Sequence, residues 1–162
     1  MIKIGLLSDT HGYFDPQLYN FFKNVNEIWH AGDIGNYKII EEIRKYWPLK
    51  AVYGNIDGQD IRQVYKRDIR FKCENVDVLI THIGGYPNKY EKRIKDIFKI
   101  KPPHLFICGH SHILKIIYDK EYHLLHINPG AAGKFGFQKK RTAIRFNIDR
   151  KDIKELEIIE LN

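Results

Sequence analysis

The sequence predicts an α/β layered fold: two sheets packed face to face with helices outside. Two observations carry this. The first part of the chain alternates short apolar runs with amphipathic ones, and the second part turns to closely spaced short strands. Residues 3–7 read as a buried strand. In residues 16–25, Leu18, Phe21, Phe22 and Val25 stand at helical spacing. Residues 27–30 form a short strand ending at Ala31-Gly32-Asp33. Residues 37–46 place Ile39, Ile40 and Ile43 on one helical face, and Pro48 stops that helix. Residues 49–53 make a third strand, ending at Gly54-Asn55. This β-α-β-α-β series implies parallel strands, because each return to the sheet uses a helical crossover.

The second half reads as antiparallel and mixed. Strands at 69–73 and 76–81 are joined by a turn at Glu74-Asn75, and an amphipathic helix at 90–99 is stopped by Pro102-Pro103. A buried strand at 105–108 ends at Gly109-His110. Strands at 115–118, 122–127, 142–148 and 156–161 follow, with hairpin-like connections at 119–121, across a glycine-rich loop at 129–140, and at 149–151.

The 162 residues suit one domain spanning 1–162, and the 43% apolar fraction is ordinary for a globular chain. No run approaches the ~18 apolar residues of a membrane span, and the first residues lack the apolar region and cleavage site of a signal peptide. Cys73 and Cys108 sit in apolar strand-like runs and read as buried thiols in a reducing cytoplasm; without a Cys-x-x-Cys pattern, thiolate zinc sites are disfavoured. The net charge of +7 admits nucleic acid or an anionic substrate. The basic residues are scattered, however. The densest run, Lys139-Lys140-Arg141, reads as a solvated face, and no basic–aromatic interleaving marks a single-strand binding surface.

The polar residues fall where chemistry is expected. Successive buried strands end in Asp9-Thr10-His11, His30-Ala31-Gly32-Asp33, Gly54-Asn55-Ile56-Asp57, His82, and Gly109-His110-Ser111-His112. The carboxyl ends of parallel strands form the ligand-binding rim of α/β sheets. On an extended chain, residues i and i+2 face the same way, so Asp9 with His11 and His110 with His112 each aim two donors at one place. Imidazole, carboxylate and amide donors without thiolate suit Mn, Fe, Zn, Ni or Co better than Ca. Seven ligands exceed the needs of one ion and fit a pair ~3.5–4 Å apart. Gly32, Gly54 and Gly109 each precede a candidate ligand and allow close backbone approach.

The ordered series Asp9-x-His11, Gly32-Asp33, Gly54-Asn55-x-Asp57, His82 and Gly109-His110-x-His112, followed by Asn128-Pro129-Gly130, resembles the signature of the calcineurin-like metallophosphoesterases and, within them, the YfcE-like phosphodiesterase branch. The resemblance covers nearly the whole chain. It implies a four-layer α/β/β/α sandwich of two mixed sheets with a dimetal site at the strand ends. By motif position Asp9, His11, Asp33 and His112 would hold one divalent ion, and Asp33, Asn55, His82 and His110 the other, with Asp33 bridging; Mn²⁺ is expected first, with Ni²⁺, Zn²⁺, Fe²⁺ or Co²⁺ as alternatives. The implied activity is hydrolysis of a small phosphodiester by a hydroxide that the two ions activate, with Asp33, Asn55 and His30 as the residues expected at the chemistry.

The alternatives are a phosphomonoesterase and a binding scaffold that kept the fold with weakened catalysis. A homo-oligomer is compatible with the sequence. Many relatives carry His where this chain has Ile56, so Asp57 loses its usual imidazole partner and is expected to fix the turn. His30 is the protein's candidate for the missing acid, or else for hydrogen bonding to a ligand carboxylate. Tyr13 and Phe14 are expected either at the substrate mouth or packed in the turn.

Overall fold

The computed structural model describes all of residues 1–162. Its elements in chain order are β1 (Ile2–Leu7), α1 (Gln17–Phe21), β2 (Glu27–His30), α2 (Tyr37–Arg44), β3 (Leu49–Ala51), α3 (Gln59–Arg62), β4 (Asp68–Cys73), β5 (Val76–Thr81), α4 (Lys92–Ile100), β6 (Leu105–Ile107), β7 (Leu114–Asp119), β8 (Leu124–Pro129), β9 (Arg141–Asp149) and β10 (Asp152–Leu161). They form two five-stranded mixed sheets, ordered β10-β9-β1-β2-β3 and β4-β5-β6-β8-β7.

The two-residue period of each strand divides its side chains between two faces. Ile4 and Leu6 of β1, Trp29 of β2, Val76, Val78 and Ile80 of β5, and Leu105 and Ile107 of β6 point between the sheets into one buried cluster. At its centre Trp29 meets Phe71 and Phe146 edge-on, with ring centroids 5.1 and 5.9 Å apart, the orientation that aromatic quadrupoles favour. The alternate residues face outward. Leu7 and Ile28 pack under α1, α2 and α3 through Leu18, Phe22, Ile40 and Ile61. Leu79 and Phe106 pack under α4 through Ile94 and Phe98. The result is a four-layer α/β/β/α sandwich, as the resemblance implies.

The first sheet follows the expected parallel series β1-β2-β3. In the second, β5, β6 and β8 run parallel at the centre with antiparallel edges β4 and β7. The loop at 129–140 is not a hairpin: β8 lies in the second sheet and β9 in the first, where β9 pairs antiparallel with β1. Period and turn residues reveal a strand but not its partner. The first helix ends at Phe21 rather than 25, because the Val25 N–H closes a turn onto the Phe22 carbonyl and Asn26 joins Lys3 at the sheet. One turn of helix, α3, was not expected; it buries a single side chain, Ile61, too little for periodicity to register. β10 begins before 156, because its register shifts between Lys154 and Glu157 and a bulge there breaks the alternation.

Candidate metal centre

The carboxyl ends of β1, β2, β3, β5 and β6 meet at one edge of the sandwich. Main-chain bonds tie them together: Asp9 N–H to the Gly32 carbonyl at 2.9 Å, His11 N–H to Asp33 at 3.0 Å, and Gly109 N–H to His82 at 2.9 Å. The loops are not extended. Asp9, His11, Asp33, His110 and His112 all have positive φ, between 46 and 69°. Asp, Asn and His are the side chains that best tolerate this region, and such residues gather at functional sites. The predicted convergence of Asp9 with His11 therefore arises from left-handed backbone rather than from strand alternation, whereas His110 and His112, expected to aim at one place, divide between two donor groups. Thr10 points away, its hydroxyl donating to the Ile34 carbonyl at 2.9 Å.

Two groups of donors result. Ligand atoms of Asp9, His11 and His112 lie within 4.8 Å of one another, and so do those of Asp33, His82 and His110. Asp9 Oδ2 accepts from the Ser8 hydroxyl at 2.6 Å and the His110 N–H at 3.2 Å. Its Oδ1 faces the Nε2 atoms of His112, His11 and His82 at 3.1, 3.7 and 3.8 Å. Asp33 Oδ1 is occupied by the Ile56 N–H at 3.1 Å. Asp33 Oδ2 looks into both groups more closely, 3.2 Å from His82 Nε2 and 3.6 Å from His11 Nε2.

The side chains around these donors orient them. His82 Nδ1–H donates to the Ala31 carbonyl and His112 Nδ1–H to Gln138 Oε1, both at 2.8 Å, which leaves each Nε2 lone pair facing inward. Asp57 accepts three backbone N–H bonds, from Ile34, Gly35 and Gly54, at 2.8–3.1 Å, and so ties the β2 and β3 loops together as expected of a turn-fixing residue. Asn128 donates to the Gly109 carbonyl and to Ser111 Oγ, bracing the loop that carries His110 and His112. A Cβ on Gly54 would lie 2.0 Å from Asp33 Oδ1, and one on Gly109 would lie 2.1 Å from Ser8 Oγ, so only glycine lets these loops close on the carboxylates. Asn55 is exposed beside this junction and shares a cleft with His82.

His30 is placed differently. It is fully buried, its Nδ1 accepts the Gly32 N–H at 3.1 Å, and its Nε2 bonds Thr10 Oγ1 at 3.0 Å. Its partner is thus the Thr10 hydroxyl and not a ligand carboxylate. Burial pushes its pKa down to about 4, so it stays neutral near pH 7. Phe14 packs against Tyr19 in the turn, with centroids 5.2 Å apart, whereas Tyr13 lies under the Lys134 ammonium at 4.3 Å. Ser8 and Gln138 were missed by the sequence reading; a hydroxyl beside Asp9 was visible there, but a glutamine from a distant loop carries no motif.

The donor set fits divalent cations. Asp9 Oδ1, His11 Nε2 and His82 Nε2 are buried without a hydrogen-bond partner. Leaving three such atoms unpaired in one place costs several kcal/mol unless a cation compensates them. The electrostatics agree. Burial opposes ionisation of Asp9, yet His11, His112 and Ser8 outweigh it and hold the carboxyl well below its usual range. His82 overcomes the same penalty for Asp33. Reciprocally, burial lowers His82 but Asp33 and Asp9 raise it above an ordinary imidazole, and Asp9 raises His112.

Residues 2–151 match the calcineurin-like phosphoesterase superfamily domain. The chain belongs to this superfamily. Proteins named "probable metallophosphoesterase" resemble it in sequence: one from Methanothermobacter thermautotrophicus is 28% identical over 133 residues, 79% of this chain and 76% of that protein. One from Mycoplasma pneumoniae is 30% identical over 139 residues, 81% and 79% of the two chains. A solved structure described as a novel archaeal phosphodiesterase superposes with a TM-score of 0.76 at 24% identity, covering 99% of this chain and 100% of that one. Vps29 of Chaetomium thermophilum gives a TM-score of 0.76 at 10% identity, covering 99% and 97%. These superpositions show a shared fold. Family membership and the two donor groups make the chain a metal-dependent phosphoesterase of this superfamily. No helix is long and apolar enough to cross a membrane.

Proposed function

We propose that the chain hydrolyses phosphodiester bonds. In this reading Asp9, His11, Asp33 and His112 hold one divalent ion, and Asp33, Asn55, His82 and His110 hold the other, with Mn²⁺ the expected metal. The observation that carries it is the set of orphaned atoms Asp9 Oδ1, His11 Nε2 and His82 Nε2 turned toward one another. When bound, a pair of divalent ions supplies an activated water and neutralises charge on the phosphoryl oxygens. Asp33 contributes through Oδ2 alone, its Oδ1 being held by the Ile56 amide. Asn55 offers a neutral amide oxygen at the exposed side, where substrate has access.

His30 acts in this reading as a positioning residue. Its two hydrogen bonds fix Thr10, between Asp9 and His11, and the Gly32 amide beside Asp33. Ile56 occupies the place where many members of the wider superfamily carry histidine, though the YfcE-like branch commonly lacks it, and brings no proton, which favours substrates whose leaving group departs as a stable anion. A phosphodiester with one acidic alcohol or phenol meets that condition, and the likeness in fold to an archaeal phosphodiesterase supports the same choice. The buried free thiols Cys73 and Cys108 support a reducing, cytoplasmic setting.

Purified protein assayed with bis-p-nitrophenyl phosphate and Mn²⁺ or Ni²⁺ tests the proposal. Asp33→Asn and His82→Ala are each expected to lose bound metal and to lower turnover more than ~100-fold, beyond what losing a partner of a ligand costs. Full metal-dependent turnover in both variants overturns the assigned site. Faster release of p-nitrophenolate from the monoester than from the diester, with the same metal, favours a phosphomonoesterase. His30→Ala is expected to lose metal and turnover together; a fall in turnover at full occupancy would mark it as the acid instead.

A further inference from the structure

A cleft of about 290 Å³ opens beside the second donor group, with Tyr53, Asn55, Arg62, Arg67, Thr81 and His82 among its walls. It adjoins the second donor group through His82, which lines the cleft together with Asn55, the ligand proposed above. The fold brings Arg67 there by bridging the two sheets. Val52 pairs with Lys66, whose carbonyl accepts the Tyr53 N–H at 3.0 Å, so residue 66 is tied to the end of β3. Asp68 then opens β4 opposite Thr81, the last residue of β5 before His82. Arg67 is the single residue between these anchors.

The cleft carries two positive charges and no carboxylate. Arg62 is fixed by its Nε–H to the Asp57 carbonyl at 2.6 Å and its Nη2 to the Asn55 carbonyl at 3.2 Å, with its guanidinium 4.5 Å over the Tyr53 ring. These partners are neutral. Arg67 makes no ion pair, whereas Arg70, Arg93, Arg141 and Arg145 each hold a carboxylate: Asp77, Asp68, Asp15 and Glu157. The acid adjacent to Arg67, Asp68, spends one oxygen on the Thr81 hydroxyl at 2.6 Å and the other on Arg93. An uncompensated pair of guanidiniums beside a phosphoryl site is an anion receptor, and the planar arginine fork matches phosphate oxygens in a bidentate manner.

We propose that this cleft seats a second phosphate of the substrate, close along the molecule from the scissile phosphorus, and that Arg67 selects for it. This rests on the phosphodiester reading above for the position of the scissile group. The preferred substrate class is then a phosphodiester of a polyol or nucleoside that bears a further phosphate.

Two measurements test it separately. The p-nitrophenyl diester of thymidine 5′-phosphate is compared with the same diester carrying a 3′-phosphate. The second is expected to show a roughly 10-fold higher kcat/KM, the worth of one charge-assisted contact. Arg67→Ala is expected to bring that ratio near one through KM, and Arg67→Lys to restore part of it. Equal kcat/KM for the two diesters in the unaltered protein, or a ratio that survives Arg67→Ala, overturns the inference and leaves the phosphodiester reading standing. Failure to turn over either diester overturns the phosphodiester reading instead. In that event calorimetry of inorganic phosphate binding to chelator-treated protein still decides the cleft: at least 5-fold weaker binding in Arg67→Ala supports it, and equal binding overturns it.

Discussion

The two sheets bring different chemistry to the shared edge and hold it in different ways. The loops of the first sheet contribute Asp9, His11, Asp33 and Asn55, and they are strapped by main-chain bonds and by the Asp57 carboxylate. The loops of the second contribute His82, His110 and His112. There His82 and His112 are each aimed by one Nδ1 bond, and His110 is exposed. A buried carboxylate is costly wherever it is not compensated, so its backbone has to be fixed by the fold itself. A neutral imidazole tolerates burial and needs only the correct tautomer. In the proposed site the first sheet would therefore carry the cost in folding free energy, and the second would tune the affinity for metal.

Three experiments probe that division, from the largest effect to the smallest. Asp57→Ala strips three N–H groups of their acceptor and is expected to lower stability by roughly 3–5 kcal/mol in urea unfolding; a loss below ~1 kcal/mol would show that the first sheet's loops hold themselves. Next comes a proton difference within the sheets. Burial brings the pKa of His30 in the first sheet and of His126 in the second down to about 4, against ~6.5 unfolded. As pH falls from 6.5 toward 4, the unfolded chain takes up protons the folded one refuses. The stability present above pH 6.5 is thus lost on acidification. His126 Nδ1 has no partner and its ring lies among Tyr90 and Phe106. His126→Phe is expected to lose about 2 kcal/mol less than the unaltered protein between pH 7 and pH 5. An identical pH dependence in the two would contradict a neutral His126. Last, Gln138→Ala frees the His112 ring. Chelator competition should then show about 10-fold weaker metal binding, with stability changed by no more than about 1 kcal/mol; the reverse pattern would erase the contrast between the sheets.

The strands of the sandwich were legible because buried strands announce themselves by period and by turn residues. The sites at their ends were legible because Asp9, Asp33, His82 and the histidines at 110 and 112 each follow an apolar run. Three things were not legible, each for a physical reason. The positive φ of Asp9, His11, Asp33, His110 and His112 is imposed by tertiary bonds, and a single sequence does not encode it locally. The passage of residues 129–140 between sheets depends on which edge is vacant, a property of the assembled fold. Gln138 reaches His112 from that same crossing, so its role was hidden with it.

The pairing of β1 with β9 also sets an order in time. β1 is completed on its second side only when Arg141–Asp149 arrives, and the loop after β1 is covered by the Ala132 and Gly133 amides bonding the Ser8 and Asp9 carbonyls at 2.9 and 3.0 Å. At ~5–20 residues per second on the ribosome, Asp9 waits on the order of ten seconds before its cover exists. Contacts of such long sequence separation also slow folding after release. The carboxylate made first at this edge is enclosed last, so a cation held there, as proposed above, would be captured by a nearly finished chain.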